Sequence, residues 1–169
     1  MNRKYEFTGE TRNWVGRTLH RIRAVRDFGD VKAGDLGGWI EIESNLSHDG
    51  DAWVCGNARV FGKARVYGNA EVYGDARVYG NALVCGDARV CGRKHILWIS
   101  MIGSRDDTVT FMRAKDEKII VAVGCFSGTI DEFEKQVDVT HGDNEHGKAY
   151  RLAIELAKLR IDLDKEENK

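Results

Sequence analysis

Residues Asp51–Gly92 read DAWVCG, NARVFG, KARVYG, NAEVYG, DARVYG, NALVCG and DARVCG: one six-residue word, seven times without a break. Every word has Ala second, Val fourth and Gly sixth. Side chains along a strand alternate with period two, so Ala and Val point one way while the third and fifth residues point the other. The inward set therefore runs from Ala52 and Val54 to Ala88 and Val90. A small residue followed by a branched one suits a narrow interior. Gly followed by Asn or Asp makes a corner, because these residues tolerate unusual backbone angles. A short strand and a corner every six residues wind the chain into a coil whose successive turns pair as parallel strands about 4.8 Å apart.

The strict Ala, Val and Gly positions of 51–92 resemble the hexapeptide-repeat, left-handed β-helix superfamily, in which three hexapeptides make one triangular coil. The resemblance implies a mainly β fold, a left-handed parallel β-helix, and a homotrimer or higher homo-oligomer. The preceding stretch, Trp39–Ser44 and Asn45–Gly50, reads as two degenerate hexads forming the first coil. It keeps Ile40, Ile42 and Leu46 inward, with His48 where Val belongs. Eighteen residues per coil stack the outward positions into ladders. One carries Trp53, Cys55, Glu71, Tyr73, Arg89 and Cys91. A second carries Arg59, Phe61, Arg77 and Tyr79 and continues to His95; the third carries Arg65, Tyr67, Leu83 and Cys85. Aromatic and Arg side chains are enriched at protein interfaces, so Trp53, Tyr67, Tyr73, Leu83 and Cys85 are the expected oligomer contacts. A solvated face with Arg packed on Tyr is the alternative.

The chain divides into an N-terminal cap (1–38), the β-helix (39–92), a small C-terminal α+β domain (93–163) and a frayed acidic tail (164–169). In the cap, Thr18–Arg26 reads as a strand or a short helix; Leu19, Ile22 and Val25 suit a helix, but the hairpin-like turns at Arg26–Asp30 and Val31–Asp35 favour strands packed on the first coil, and Trp39 is the expected plug for its open end. In the C-terminal domain, His95–Met101, Thr108–Arg113 and Lys118–Phe126 have strand character. Thr129-Ile130-Asp131-Glu132 is a capping box opening a helix that runs to about Val139. A last helix, about Glu145–Leu163, carries an apolar stripe including Tyr150, Ala153, Ile154 and Ala157.

Across 169 residues the net charge is −1, which excludes a global pull toward nucleic acid or membrane; the cluster Arg3, Lys4, Arg12, Arg17, Arg21, Arg23 and Arg26 is a local exception. No apolar run approaches 18 residues and no signal peptide stands out, so a cytoplasmic protein, without membrane partners, is expected. The four cysteines lack C-x-x-C spacing, so no metal site is expected, and no cofactor is predicted.

The full pattern, including the Gly34–Glu41 segment GDLGGWIE and the C-terminal tail, is similar to small proteins of phages and prophages. That resemblance implies a bacterial host cell but carries over no site residues. Resemblance to hexapeptide acyltransferases implies a catalytic His acting as general base on coenzyme A chemistry. This sequence has no His and no insertion loop within Asp51–Lys94; His48 is the one coil candidate. Binding without chemistry is the leading expectation. The turn with Ser104, Arg105 and Thr108, together with Arg113, the helix start at Thr129, and His141 and Asn144, could hold an anion such as a nucleotide. A phage protein built this way would sequester a nucleotide-derived host-defence signal. The alternatives are an acyltransferase and an adaptor or structural trimer that binds a host protein; nucleic acid is not an expected partner.

Overall fold

The computed structural model describes residues 3–164; residues 165–169, most of the expected frayed tail, lie outside the described part. Each hexad of 51–92 contributes one two-residue strand: β4 (Trp53–Val54), β5 (Arg59–Val60), β6 (Arg65–Val66), β7 (Glu71–Val72), β8 (Arg77–Val78), β9 (Leu83–Val84) and β10 (Arg89–Val90). Residues eighteen apart pair in parallel: Trp53 with Glu71 with Arg89, Arg59 with Arg77, and Arg65 with Leu83. Every third hexad thus falls in the same sheet, and Ala58, Val60, Ala70, Val72 and the other inward residues are fully buried. The corner glycines Gly56, Gly62, Gly68, Gly74, Gly80 and Gly86 all have φ between +60° and +72°, where a Cβ would be strained.

The first coil departs from the expected frame. Strand β3 (Leu36–Ile40) pairs Trp39 with Arg59 and Ile40 with Val60, and Leu46 bridges to Val66. These offsets are twenty residues rather than eighteen, so two extra residues lie in the corner between Leu46 and Trp53. Parity survives a shift of two, and Ile40 and Leu46 remain buried. Ile42, however, moves from an inward position to a corner and is 48% exposed. Asn45 fills that corner from inside. Its Oδ1 accepts from the backbone N–H groups of Glu41 (3.1 Å) and Ile42 (2.9 Å), and its amide nitrogen donates to the carbonyls of Gly62 (3.1 Å) and Ala64 (2.8 Å).

The frame shift also corrects the role of Trp39. Because Ile40 points inward, Trp39 points outward, where Arg12 and Arg21 lie over its ring at 4.3 and 5.3 Å. The open end is closed instead by the N-terminal segment. Strands β1 (Tyr5–Trp14) and β2 (Arg17–Ala24) form an antiparallel hairpin that joins β3, giving the order β1-β2-β3-β5-β8. Tyr5, Ile22 and Phe28 pack on the coil interior. The Tyr5 hydroxyl lies 2.9 Å from the carbonyls of both Glu43 and Leu46. Lys4 is fully buried and its ammonium donates to the carbonyls of Ala52 (2.7 Å) and Gly50 (3.2 Å), at the edge that no preceding strand covers.

At the other end, β11 (Ile96–Ile102), β12 (Asp107–Arg113), β13 (Ile119–Val123) and β14 (Phe126–Thr129) form an antiparallel sheet in chain order. One face, with Met112 and Ala122, joins the core of the coil; the other, with Val109, Phe111 and Val121, packs on helices α1 (Ile130–His141) and α2 (Glu145–Arg160). The last coil donates Leu83 N–H to Thr110 Oγ1 (3.1 Å), and Lys115 N–H reaches the Asp87 carbonyl (3.0 Å). The C-terminal sheet therefore caps the coil of its own chain.

Candidate functional site

The predicted anion-binding residues separate into two groups. Ser104, Arg105 and His141 line one cleft of about 290 Å³ in the C-terminal domain. Thr108, Arg113, Thr129 and Asn144 do not line it. Thr108 is buried, with its hydroxyl 2.8 Å from Ser100 Oγ. Arg113 Nη1 lies 3.3 Å from His95 Nε2, and His95 Nδ1 lies 3.2 Å from Cys91 Sγ. Thr129 caps α1: its Oγ1 accepts from Glu132 N–H, and its own N–H donates to the Glu132 carboxylate at 2.7 Å. That carboxylate occupies the place where the sequence suggested an external anion. Asn144 likewise caps α2, accepting from Gly147 N–H at 2.9 Å.

The expected oligomer contacts are largely covered from within the chain. Trp53 is packed by Phe28 and Tyr5. Cys85 is buried 3.6 Å from Ser127 Oγ, and Leu83 lies under the C-terminal sheet. Tyr67 and Tyr73 are half-buried. The alternation rule identified outward positions correctly; it gave no means of seeing that the two ends of the chain fold back over them. Cys55, Cys85, Cys91 and Cys125 form no disulfide among the described residues.

His48 lies beside a hollow of about 330 Å³. It stacks on Tyr5 with ring centroids 4.3 Å apart, and its Nδ1 accepts the Lys4 backbone N–H at 3.2 Å. Burial, with the Lys4 and Arg3 charges nearby, pushes its pKa below the usual imidazole value. A neutral His48 with Nδ1 so engaged carries its proton on Nε2, the nitrogen that a general base would need free.

A groove of about 780 Å³ lies on the outward face of β5 and β8. Its floor is Phe61 and Tyr79, eighteen residues apart, stacked with centroids 5.2 Å apart and planes at 7°. Trp98 of β11 meets Tyr79 edge-on at 4.7 Å. The opposite wall is Trp14 and Val15, at the tip of the β1–β2 hairpin. The hairpin reaches this face because β1 carries a bulge between Phe7 and Thr11, with Gly9 at φ +88°; a bulge bends and twists its strand. The guanidinium carbons of Arg59 and Arg77 lie 4.1 and 4.8 Å from the Trp14 ring centre. Arg77 and Arg93 line the groove, and among the described residues no carboxylate or imidazole does. Burial, and then the nearby Arg77 and Arg12 charges, lowers the pKa of Arg59. The ladder Arg59, Phe61, Arg77 and Tyr79 was legible in the repeat. Trp14, Arg93 and Trp98 were missed, since nothing in their local sequence says that they return to it.

A mainly β chain built on short strands that repeat every six residues and pair in parallel is thus the class that the architecture defines. Residues 52–68, 70–86 and 76–92 match the model of the YdcK β-solenoid repeat family. A 50-residue stretch is 40% identical to the uncharacterized acetyltransferase YdcK of Escherichia coli (strain K12). That stretch is 30% of this chain and 14% of the relative. The likeness is to the repeat. No helix among the described residues is long and apolar enough to cross a membrane.

Proposed function

We propose that this protein captures an anionic, aromatic small molecule of the nucleotide class in the Trp14–Tyr79–Trp98 groove and holds it without chemical change. The observation that carries this reading is the lining: aromatic rings and two guanidinium groups, with no carboxylate or imidazole among the described residues beside them. A base can stack on the rings while Arg77 and Arg93 meet the phosphate. The volume suits a nucleotide-sized ligand, since small-molecule sites span about 300–1,000 Å³. In the setting implied by the phage-type resemblance, the protein is a left-handed, homotrimeric coil in the bacterial cytoplasm that sequesters a nucleotide-derived defence signal of the host.

The test is quenching of tryptophan fluorescence by a panel of mono- and dinucleotides, followed by mass analysis of the ligand after denaturation. Tyr79→Ala should weaken binding about five- to 150-fold, the range set by loss of about 1–3 kcal/mol of base stacking. Recovery of a chemically altered ligand would refute capture. A second reading, acetyl transfer, is favoured by the likeness of the repeat to the uncharacterized acetyltransferase YdcK. It requires release of free coenzyme A from acetyl-coenzyme A in the presence of an acceptor, abolished in His48→Asn; the engaged Nδ1 of His48 weighs against it.

A further inference from the structure

We propose that the C-terminal cleft is a second binding site, for a small zwitterion of the α-amino-acid class with an apolar side chain. The cleft shares no lining residue with the groove. Its size, about 290 Å³, restricts it to metabolites at the small end of the usual range. Its floor is apolar: Phe126 and Phe133, with centroids 5.2 Å apart, and the buried Val137. Its rim carries one charge of each sign, Arg105 from the turn between β11 and β12 and Asp107 from the first position of β12. Gln136, Thr140 and His141 of α1 line the cleft as well.

Several ions of this domain pair off, Arg151 with Asp138 and Asp143, and Lys158 with Glu134. Among the described residues no salt bridge involves Arg105 or Asp107. The turn that carries Arg105 is seated on the helices. Gly103 has φ +77°, and a Cβ there would stand 2.1 Å from the Tyr150 hydroxyl, so only glycine allows this approach. Asp107 Oδ1 accepts Thr108 N–H at 2.7 Å, while Oδ2 points toward Gly124 across the cleft, 3.6 Å from where a Cβ on that glycine would lie. The Tyr150 phenol is held above its usual pKa by burial and by the Asp107 charge, which places that carboxylate's field at the cleft.

The charge pattern selects the ligand. A polyanion would gain Arg105 but face Asp107, and α1 offers it no N-terminus because Glu132 already occupies that position. A neutral apolar molecule would leave both charges unanswered. A zwitterion meets both, its carboxylate on Arg105 and its ammonium on Asp107, with charge-assisted hydrogen bonds at each end and an apolar side chain over Phe133.

The test uses the full chain, ¹⁵N-labelled, with L-phenylalanine as the probe and two analogues that each lack one charge, phenylalaninamide and N-acetylphenylalanine. Phenylalanine at millimolar concentration should shift the amide resonances of residues 104–107 and 124–126. Each analogue should bind at least about tenfold more weakly, the equivalent of one charge-assisted contact. Arg105→Met should erase the difference between phenylalanine and its amide, and Asp107→Asn the difference from the N-acetyl form. Both substitutions lie at exposed positions, and an unchanged spectrum elsewhere shows that the fold is kept. Tyr79→Ala should leave the titration unaltered, so this site and the nucleotide reading of the groove fail independently. Equal binding of the three compounds, shifts confined to groove residues, or no shift at all would overturn the assignment.

Discussion

Replacing Asn45 tests the frame of the first coil directly. Its side chain makes four hydrogen bonds, two accepted and two donated, from a position 1% exposed. The contact with Ala64 carbonyl is buried, whereas the other three are partly open to water. At about 1 kcal/mol net per bond, reduced where water can substitute, Asn45→Ala should cost about 2–3 kcal/mol. Asn45→Asp is the sharper probe, because it keeps the acceptor and the volume but turns the two donated bonds into a carboxylate facing two carbonyls. It should cost more than the alanine at neutral pH. The penalty should also depend on pH with a definite sign. The buried carboxyl, facing carbonyl oxygens, has a folded pKa raised above its unfolded value of about 3.9. Protonation restores one donor, so the variant gains relative to the parent as pH falls toward about 4 and loses as pH rises through the raised folded pKa. Urea unfolding from pH 4 to 8, followed by circular dichroism, measures both effects. An alanine variant within about 1 kcal/mol of the parent, below the bonds' combined worth, or an aspartate variant with no relative pH dependence, would refute the proposed role of Asn45.

Other outcomes follow from the same geometry. Val72→Ala, in the middle of the β4-β7-β10 ladder, removes two buried methyl groups and should cost about 2–3 kcal/mol, transfer and cavity terms together, measured by urea unfolding. Lys4, whose pKa is lowered from 10.5 to about 8 by burial and then by the Arg26 charge, makes the folded state release its proton before the unfolded chain does. Its contribution should therefore rise between about pH 8 and 10.5, a rise that Lys4→Met abolishes; burial of Tyr5, which raises its pKa, opposes it above about pH 10 as the unfolded phenol ionises. Thr129→Ala removes the cap on α1 and should lower stability by about 1 kcal/mol, read as a lower thermal midpoint.

The repeat made the middle of this protein legible because one constraint acts on every word. A narrow interior accepts Ala and Val, and a corner at positive φ favours Gly, so sequence and backbone share one period. The same logic failed two residues before it should have. Nothing in Ser47-His48-Asp49-Gly50 announces an insertion, and the deciding residue is a buried Asn whose four partners are backbone groups from two coils. The capping box at Thr129 and both C-terminal helices were also legible, being local, and the box itself then removed the helix start from the predicted anion site.

The sites follow a different rule from the fold. Phe61 and Tyr79 were visible as a ladder, but a ladder of exposed rings is only half of a groove. The other half comes from Trp14, forty-seven residues before Phe61, and Trp98, nineteen after Tyr79. Both belong to the non-repetitive ends, which close the coil where its backbone would otherwise be bare. Closing a coil requires a chain end to turn back over it, and turning back creates walls beside faces that were flat. The groove is thus a consequence of capping: the hairpin that covers Trp39 extends to place Trp14 on Arg59 and Arg77, and the sheet that caps the last coil brings Trp98 against Tyr79. The C-terminal cleft has the same origin on the far side of that sheet, where the turn at Gly103 settles on Tyr150. In this chain the proposed binding sites lie where the repeat stops, and their residues become readable only when the segments flanking the repeat are placed.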